Sequence, residues 1–93
     1  MLFFHRGLQS LVAIELKIGG FKAEYIGKMN LYLSLLDLLE KGEKENPSIG
    51  IILCADKDHL DVEIALQDIN KPIGVAEYQL LLPKEQLQTL IVD

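Results

Sequence analysis

Glu15 and Lys17 stand two residues apart in the segment Ser10-Leu-Val-Ala-Ile-Glu-Leu-Lys17. In a β-strand, residues at that spacing project from the same face. A carboxylate there is a hard oxygen ligand of the kind Mg²⁺ prefers. An ammonium beside it can orient or activate a water and offset charge on a phosphate. Taken alone, Glu-x-Lys is a common tripeptide, and its plainer reading is an ion pair on a solvated sheet face. The surroundings decide between the two readings.

The segment that carries the pair reads as a strand over 10–17. Val12, Ile14 and Leu16 share one face, and Leu11, Ala13, Glu15 and Lys17 share the other. Leu2 to His5 forms a short strand before it, with Gly7 offering the turn of an antiparallel hairpin. Gly19-Gly20 ends the second strand, and a helix runs from Phe21 or Lys22 to about Lys41, with Gly42 as its C-cap signal. Tyr25, Met29, Tyr32, Leu36 and Leu39 fall on one side of that helix, widened by Leu31, Leu35 and Leu38. Lys28, Asn30, Ser34 and Asp37 mark its wetter side.

Ser48 to Cys54 is an apolar run that reads as a central strand covered on both faces. A helix from Asp58 or His59 to Ile69 follows, with Leu60, Ile64 and Ala65 facing the core, ended by Asn70-Lys71-Pro72. Ile73 to Leu82 is a fourth strand, and Pro83 opens a last helix over Lys84 to Ile91. The order β-β-α-β-α-β-α predicts an α/β fold with a mixed sheet flanked by helices.

The 93 residues make one small domain, and the 49% hydrophobic content suits a core rather than disorder. No apolar run approaches the ~20 residues of a membrane span, and the start lacks the pattern of a signal peptide. A single cysteine, Cys54, excludes an internal disulfide and a cysteine-rich zinc site and points to a reducing, cytoplasmic setting. Taken alone, the net charge of −5 argues against a dedicated nucleic-acid binder, whose footprint is a positive surface.

The stretch from Leu2 to Leu33, together with Asn46 to Cys54 and Ala65 to Tyr78, resembles the YhcG-like branch of the PD-(D/E)xK nucleases. The resemblance covers most of the chain and is far more specific than Glu-x-Lys alone. It implies a restriction-endonuclease-like fold that cleaves phosphodiester bonds with Mg²⁺, nucleic acid being the partner and DNA the expected one. Glu15 and Lys17 match the (D/E)xK half of the motif, and the Leu16 carbonyl becomes a further metal ligand by the same analogy. Lys28 and Tyr32 fall where related nucleases carry a helical Gln-x-x-x-Tyr, with Lys28 departing from the pattern.

The family's first metal-binding aspartate falls at Met1 or ahead of it. The expectation is therefore a partial domain lacking the N-terminal part of the core, inactive by itself. The rival reading is a non-catalytic interaction, dimerisation or nucleic-acid-binding module. The exposed first strand and the many leucines of the long helix point to a homodimer.

The remaining reactive side chains have plainer roles. Asp56, Asp58, Asp61 and Glu63 lack the spacing of a calcium loop and suit a helix N-terminus. His5 and His59 read as structural, Cys54 as a buried thiol, and Tyr25 and Tyr32 as core residues.

Overall fold

The computed structural model describes residues 1–79. Its elements are β1 (Leu2–His5), β2 (Ser10–Leu16), α1 (Glu24–Leu39), β3 (Ile49–Cys54), α2 (His59–Leu66) and β4 (Ile73–Glu77). The helix expected over Lys84 to Ile91, and the end of the strand expected to reach Leu82, lie outside the described residues.

The four strands form one sheet in the order β1-β2-β3-β4. β1 and β2 are an antiparallel hairpin with Leu2 opposite Ala13 and His5 opposite Ser10. β3 lies parallel to β2, with Ala13 opposite Gly50 and Glu15 opposite Ile52. β4 lies parallel to β3, with Gly50 opposite Ile73 and Cys54 opposite Glu77. The sheet is thus mixed and the fold α/β, as the sequence predicts.

Both parallel crossovers step the same way across the sheet, and right-handed connections put their helices on one face. The core shows it. Ala13, Ile52 and Cys54 meet Ile26, Met29, Leu33 and Leu36 of α1, and Ala65 and Leu66 of α2 pack against the same cluster. Gly50 lets α1 come close: a Cβ there would stand 2.6 Å from Met29 Cγ. β3 is buried on this face and half-buried on the other, so the double cover expected for it is not complete among the described residues.

The register of both helices differs from the sequence reading. On α1 the buried positions are Ile26, Met29, Leu33 and Leu36, while Leu31, Tyr32, Leu35, Leu38 and Leu39 are exposed. Leucines surround this helix, so apolar spacing alone does not fix which side turns inward. On α2 Val62 is buried, whereas Leu60 and Ile64 are exposed. Apolar residues at 60, 62, 64, 65 and 66 again leave the phase open.

The ends differ too. α1 starts at Glu24, later than Lys22: the Phe21 N–H donates to the Asp56 carbonyl at 2.9 Å, and the Lys22 carbonyl accepts the Tyr25 N–H at 3.0 Å in a turn that leads into the helix. It stops at Leu39 with Glu40 as C-cap, and Gly42 does not take the left-handed cap conformation. α2 stops at Leu66, well before Pro72, and Asp68 has a φ of 67°. In the hairpin, Gln9 rather than Gly7 adopts positive φ, at 51°. His5 serves that turn, its Nδ1 accepting the Leu8 N–H at 3.0 Å.

Asp37, marked as part of the wetter side of α1, fastens the end of the helix to the sheet. One carboxylate oxygen accepts the Ser48 N–H at 2.9 Å, and the other pairs with Lys71 Nζ at 2.8 Å. Burial pushes its carboxyl up, but the hydrogen bonds from Lys71 and Ser48 prevail and hold it below its ordinary value. A carboxyl lowered by folding stabilises the fold above its unfolded pKa, and that contribution disappears as pH falls through the folded value. Asp37→Ala leaves the Ser48 N–H without its acceptor and is expected to cost about 1–3 kcal/mol at pH 7. Urea unfolding at pH 7, 5 and 3 checks this: the gap between Asp37→Ala and the unaltered chain should narrow toward pH 3.

Candidate active site

β2 delivers Glu15 and Lys17 to the end of the sheet where α1 begins. Glu15 lies within the strand and Lys17 just beyond it, its N–H still donating to the Leu53 carbonyl at 2.8 Å. The two side chains share a face. Lys17 Nζ stands 3.7 Å from Glu15 Oε1, and the side chains are 25% and 55% exposed. An ion pair that open and that long is weak. It leaves the carboxylate oxygens available to another cation.

The pair borders a cavity of about 380 Å³ between the β1–β2 hairpin and α1. Met1, Leu2, Ala13 and Met29 give it apolar walls, and Tyr25, Lys28 and Tyr32 line it from the helix. Among the described residues its side-chain charges are Glu15 against Lys17 and Lys28, a local positive surplus in a chain whose net charge is −5. Tyr32, read from the sequence as core, is exposed and lines the cavity instead.

Leu16 separates the pair. The Ile14 N–H and carbonyl both bond to Met1 across the hairpin, each at 2.7 Å. Strand alternation turns the Leu16 carbonyl the same way two residues on, toward the β1 side.

Two tyrosines meet Lys17. The Tyr25 ring centroid lies 4.7 Å from Lys17 Nζ, within cation–π range. The Tyr78 hydroxyl donates to the Lys17 carbonyl at 2.7 Å, with the Ile18 carbonyl 3.3 Å away. Burial, and then the neighbouring Cys54, push the Tyr78 phenol up, so it stays protonated and able to donate at neutral pH. Neither contact is visible in the sequence. The one local signal is that Tyr25 sits in the first turn after the Gly19-Gly20 link.

The other reactive residues stay apart from the cavity. Asp58 is the N-cap of α2, accepting from the Leu60 and Asp61 N–H groups at 2.9 and 3.1 Å. No group of three or more His, Cys, Asp or Glu suited to a metal occurs among the described residues. Cys54 is fully buried and unpaired.

An α/β mixed sheet with Glu-x-Lys at a strand end beside a helix is consistent with the class of PDDEXK nuclease domains. The chain belongs to that class: the family described as the YhcG PDDEXK nuclease domain matches residues 1–92. It is similar to a protein of Escherichia coli (strain K12) named "Putative nuclease YhcG", with 37% identity over 86 residues. The match covers 92% of this chain and 23% of that relative, so the chain spans about a quarter of the relative's length. No solved structure matches the chain. No helix among the described residues is long and apolar enough to cross a membrane.

Cys54 generates a prediction. Burial first, then the charge of Asp56, push its thiol up, with Lys17 opposing. Since the thiolate is the nucleophile, a thiol-directed reagent at pH 8 should modify the folded chain at least ~10-fold more slowly than the urea-unfolded chain. Equal rates would contradict the burial.

Proposed function

We propose that this domain serves Mg²⁺-dependent hydrolysis of phosphodiester bonds in DNA. The observation that carries the reading is the Glu15–Lys17 pair bordering a cavity with surplus positive side-chain charge, in a chain of the PDDEXK nuclease family.

The donors suit the ion. The Glu15 carboxylate and the Leu16 carbonyl are hard oxygens, and Mg²⁺ commonly takes one or two carboxylates, keeps several waters and shares substrate phosphates. When bound, the ion supplies Lewis-acid polarisation of the phosphate and a more acidic water. Lys17 orients the attacking water by donating a hydrogen bond and offsets the charge that builds on the phosphate oxygens. Lys28 adds attraction for the nucleic-acid backbone. Glu15 is the one carboxylate among the described lining residues. A site of few ligands binds Mg²⁺ weakly, so the chain by itself cleaves little. The buried free thiol of Cys54 suits a reducing cytoplasm.

Metal binding tests the assignment directly. Mn²⁺ added to the ¹⁵N-labelled chain should broaden the amide signals of residues 14–17 first, and Glu15→Ala should abolish the effect. Broadening centred on Asp56 and Asp58 would overturn it. With DNA and Mg²⁺ at high protein concentration, cleavage should be slow and absent in Glu15→Ala. Rapid cleavage that survives the substitution would overturn the assignment as well. Weak Mn²⁺ binding at Glu15 with DNA binding but no cleavage would favour a binding module.

A second copy is the expected partner of the chain. Leu31, Leu35, Leu38 and Leu39 of α1 are each exposed and fall along one side of the helix, with Leu60 and Ile64 exposed on α2. Apolar surface of that extent favours association, and a two-fold arrangement closes it. Sedimentation equilibrium should give twice the chain mass at high micromolar concentration, and Leu35→Glu with Leu38→Glu should give the chain mass.

A further inference from the structure

We propose that Tyr25 and Tyr78 are positioning residues for Lys17, a clamp that holds its ammonium beside Glu15 at the cavity. The proposal rests on the functional reading of Lys17 given above and deepens it.

A lysine at the end of a strand has four rotatable side-chain bonds and no fixed donor direction. Here both ends of the residue are tied. At the backbone, the N–H donates to the Leu53 carbonyl at 2.8 Å, and the carbonyl accepts the Tyr78 hydroxyl at 2.7 Å. The Tyr78 N–H in turn donates to the Cys54 carbonyl at 3.0 Å. Residues 17 and 78 therefore flank the end of β3, and the hydroxyl bridges between them. At the side chain, the Tyr25 ring faces the ammonium at 4.7 Å, and Glu15 stands 3.7 Å away.

The ring is itself oriented. Phe21 meets Tyr25 edge-on, with centroids 6.3 Å apart and an interplanar angle of 87°. Phe21 is anchored through its N–H to the Asp56 carbonyl. An aromatic face attracts a cation through its ring quadrupole, and an ammonium carries three N–H donors. Lys17 is thereby confined while the donors turned away from the ring can meet a water or a phosphate oxygen, which is the condition for preorganised electrostatic stabilisation.

The test is NMR of the whole chain with ¹³C-labelled lysine, the Lys17 signals being assigned by their loss in Lys17→Arg. The ε-methylene protons of Lys17 should lie upfield of those of the exposed lysines, shifted by the ring current, and should show nuclear Overhauser contacts to the Tyr25 ring. Tyr25→Leu should return them to the free-lysine position, whereas Tyr25→Phe, which keeps the ring, should preserve the shift. Tyr78→Phe should move them part of the way. Absence of the shift and the contacts in the unaltered chain overturns the proposal whatever the tyrosine variants do. So does a shift that survives Tyr25→Leu or is lost equally in Tyr25→Phe. An unchanged spectrum in Tyr78→Phe overturns the part assigned to Tyr78. The Mn²⁺ experiment at Glu15 reports separately on the functional reading, so a clamp without a metal site is distinguishable from a metal site without a clamp.

Discussion

The seating of Met29 over Gly50 is the contact on which the rest of the arrangement depends. Gly50 lies beside Ala13 in the parallel pairing of β2 with β3, so the sheet presents a shallow place just where α1 crosses it. Met29 fills the space a side chain at residue 50 would need. That contact fixes the helix along its axis and about it. One turn earlier, Tyr25 then comes to the end of β2 and meets Lys17, while Leu33 and Leu36 continue along the core toward Ser48. A bulkier residue at position 50 would have to lift or slide the helix, because close-packed interiors do not deform smoothly.

Charge is distributed in a way that the net value conceals. Fourteen acidic residues against nine basic ones make the chain acidic as a whole. Several of the acids are engaged in structure: Asp58 caps α2, Asp37 ties α1 to the start of β3, and Glu77 accepts the Lys57 N–H at 3.1 Å. Among the described residues the cavity is lined by two lysines and one glutamate. Over distances shorter than the ~8–10 Å screening length of physiological salt, the local set matters more to an approaching phosphate than the sum over the surface.

The strand that carries Glu15 and Lys17 was legible because a period of two is unambiguous; the face that α1 covers was not, since Val12, Ile14 and Leu16 make the more apolar side while the helix packs on the side of Ala13. Element order followed from the same alternation and from glycine and proline punctuation. Helix phase was not legible. In α1, leucines at 31, 33, 35, 36, 38 and 39 give no single apolar stripe, and Asp37 looks like a solvent marker although it serves a tertiary contact. The start of α1 was placed too early because the N-cap is Ala23, whose side chain makes no capping hydrogen bond and so leaves no mark in the sequence. For the candidate site, the shared face of Glu15 and Lys17 was readable from their spacing and their neighbours were not. Tyr25 reaches Lys17 only after the Gly19-Gly20 link folds back, and Tyr78 reaches it from 61 residues away. Contacts of that kind are set by topology, which spacing along a chain does not encode.

The Asp37 anchor and the Lys17 clamp sit at opposite ends of one helix. Twelve residues separate Tyr25 from Asp37, which at ~1.5 Å of rise per residue is about 18 Å. Groups that far apart, without shared partners, contribute to stability almost independently. Selection can therefore alter the aromatic and basic residues at one end without loosening the fastening at the other. In evolutionary terms the domain has a fastened pole and a pole that carries the candidate site, and variation at the second does not require compensation at the first.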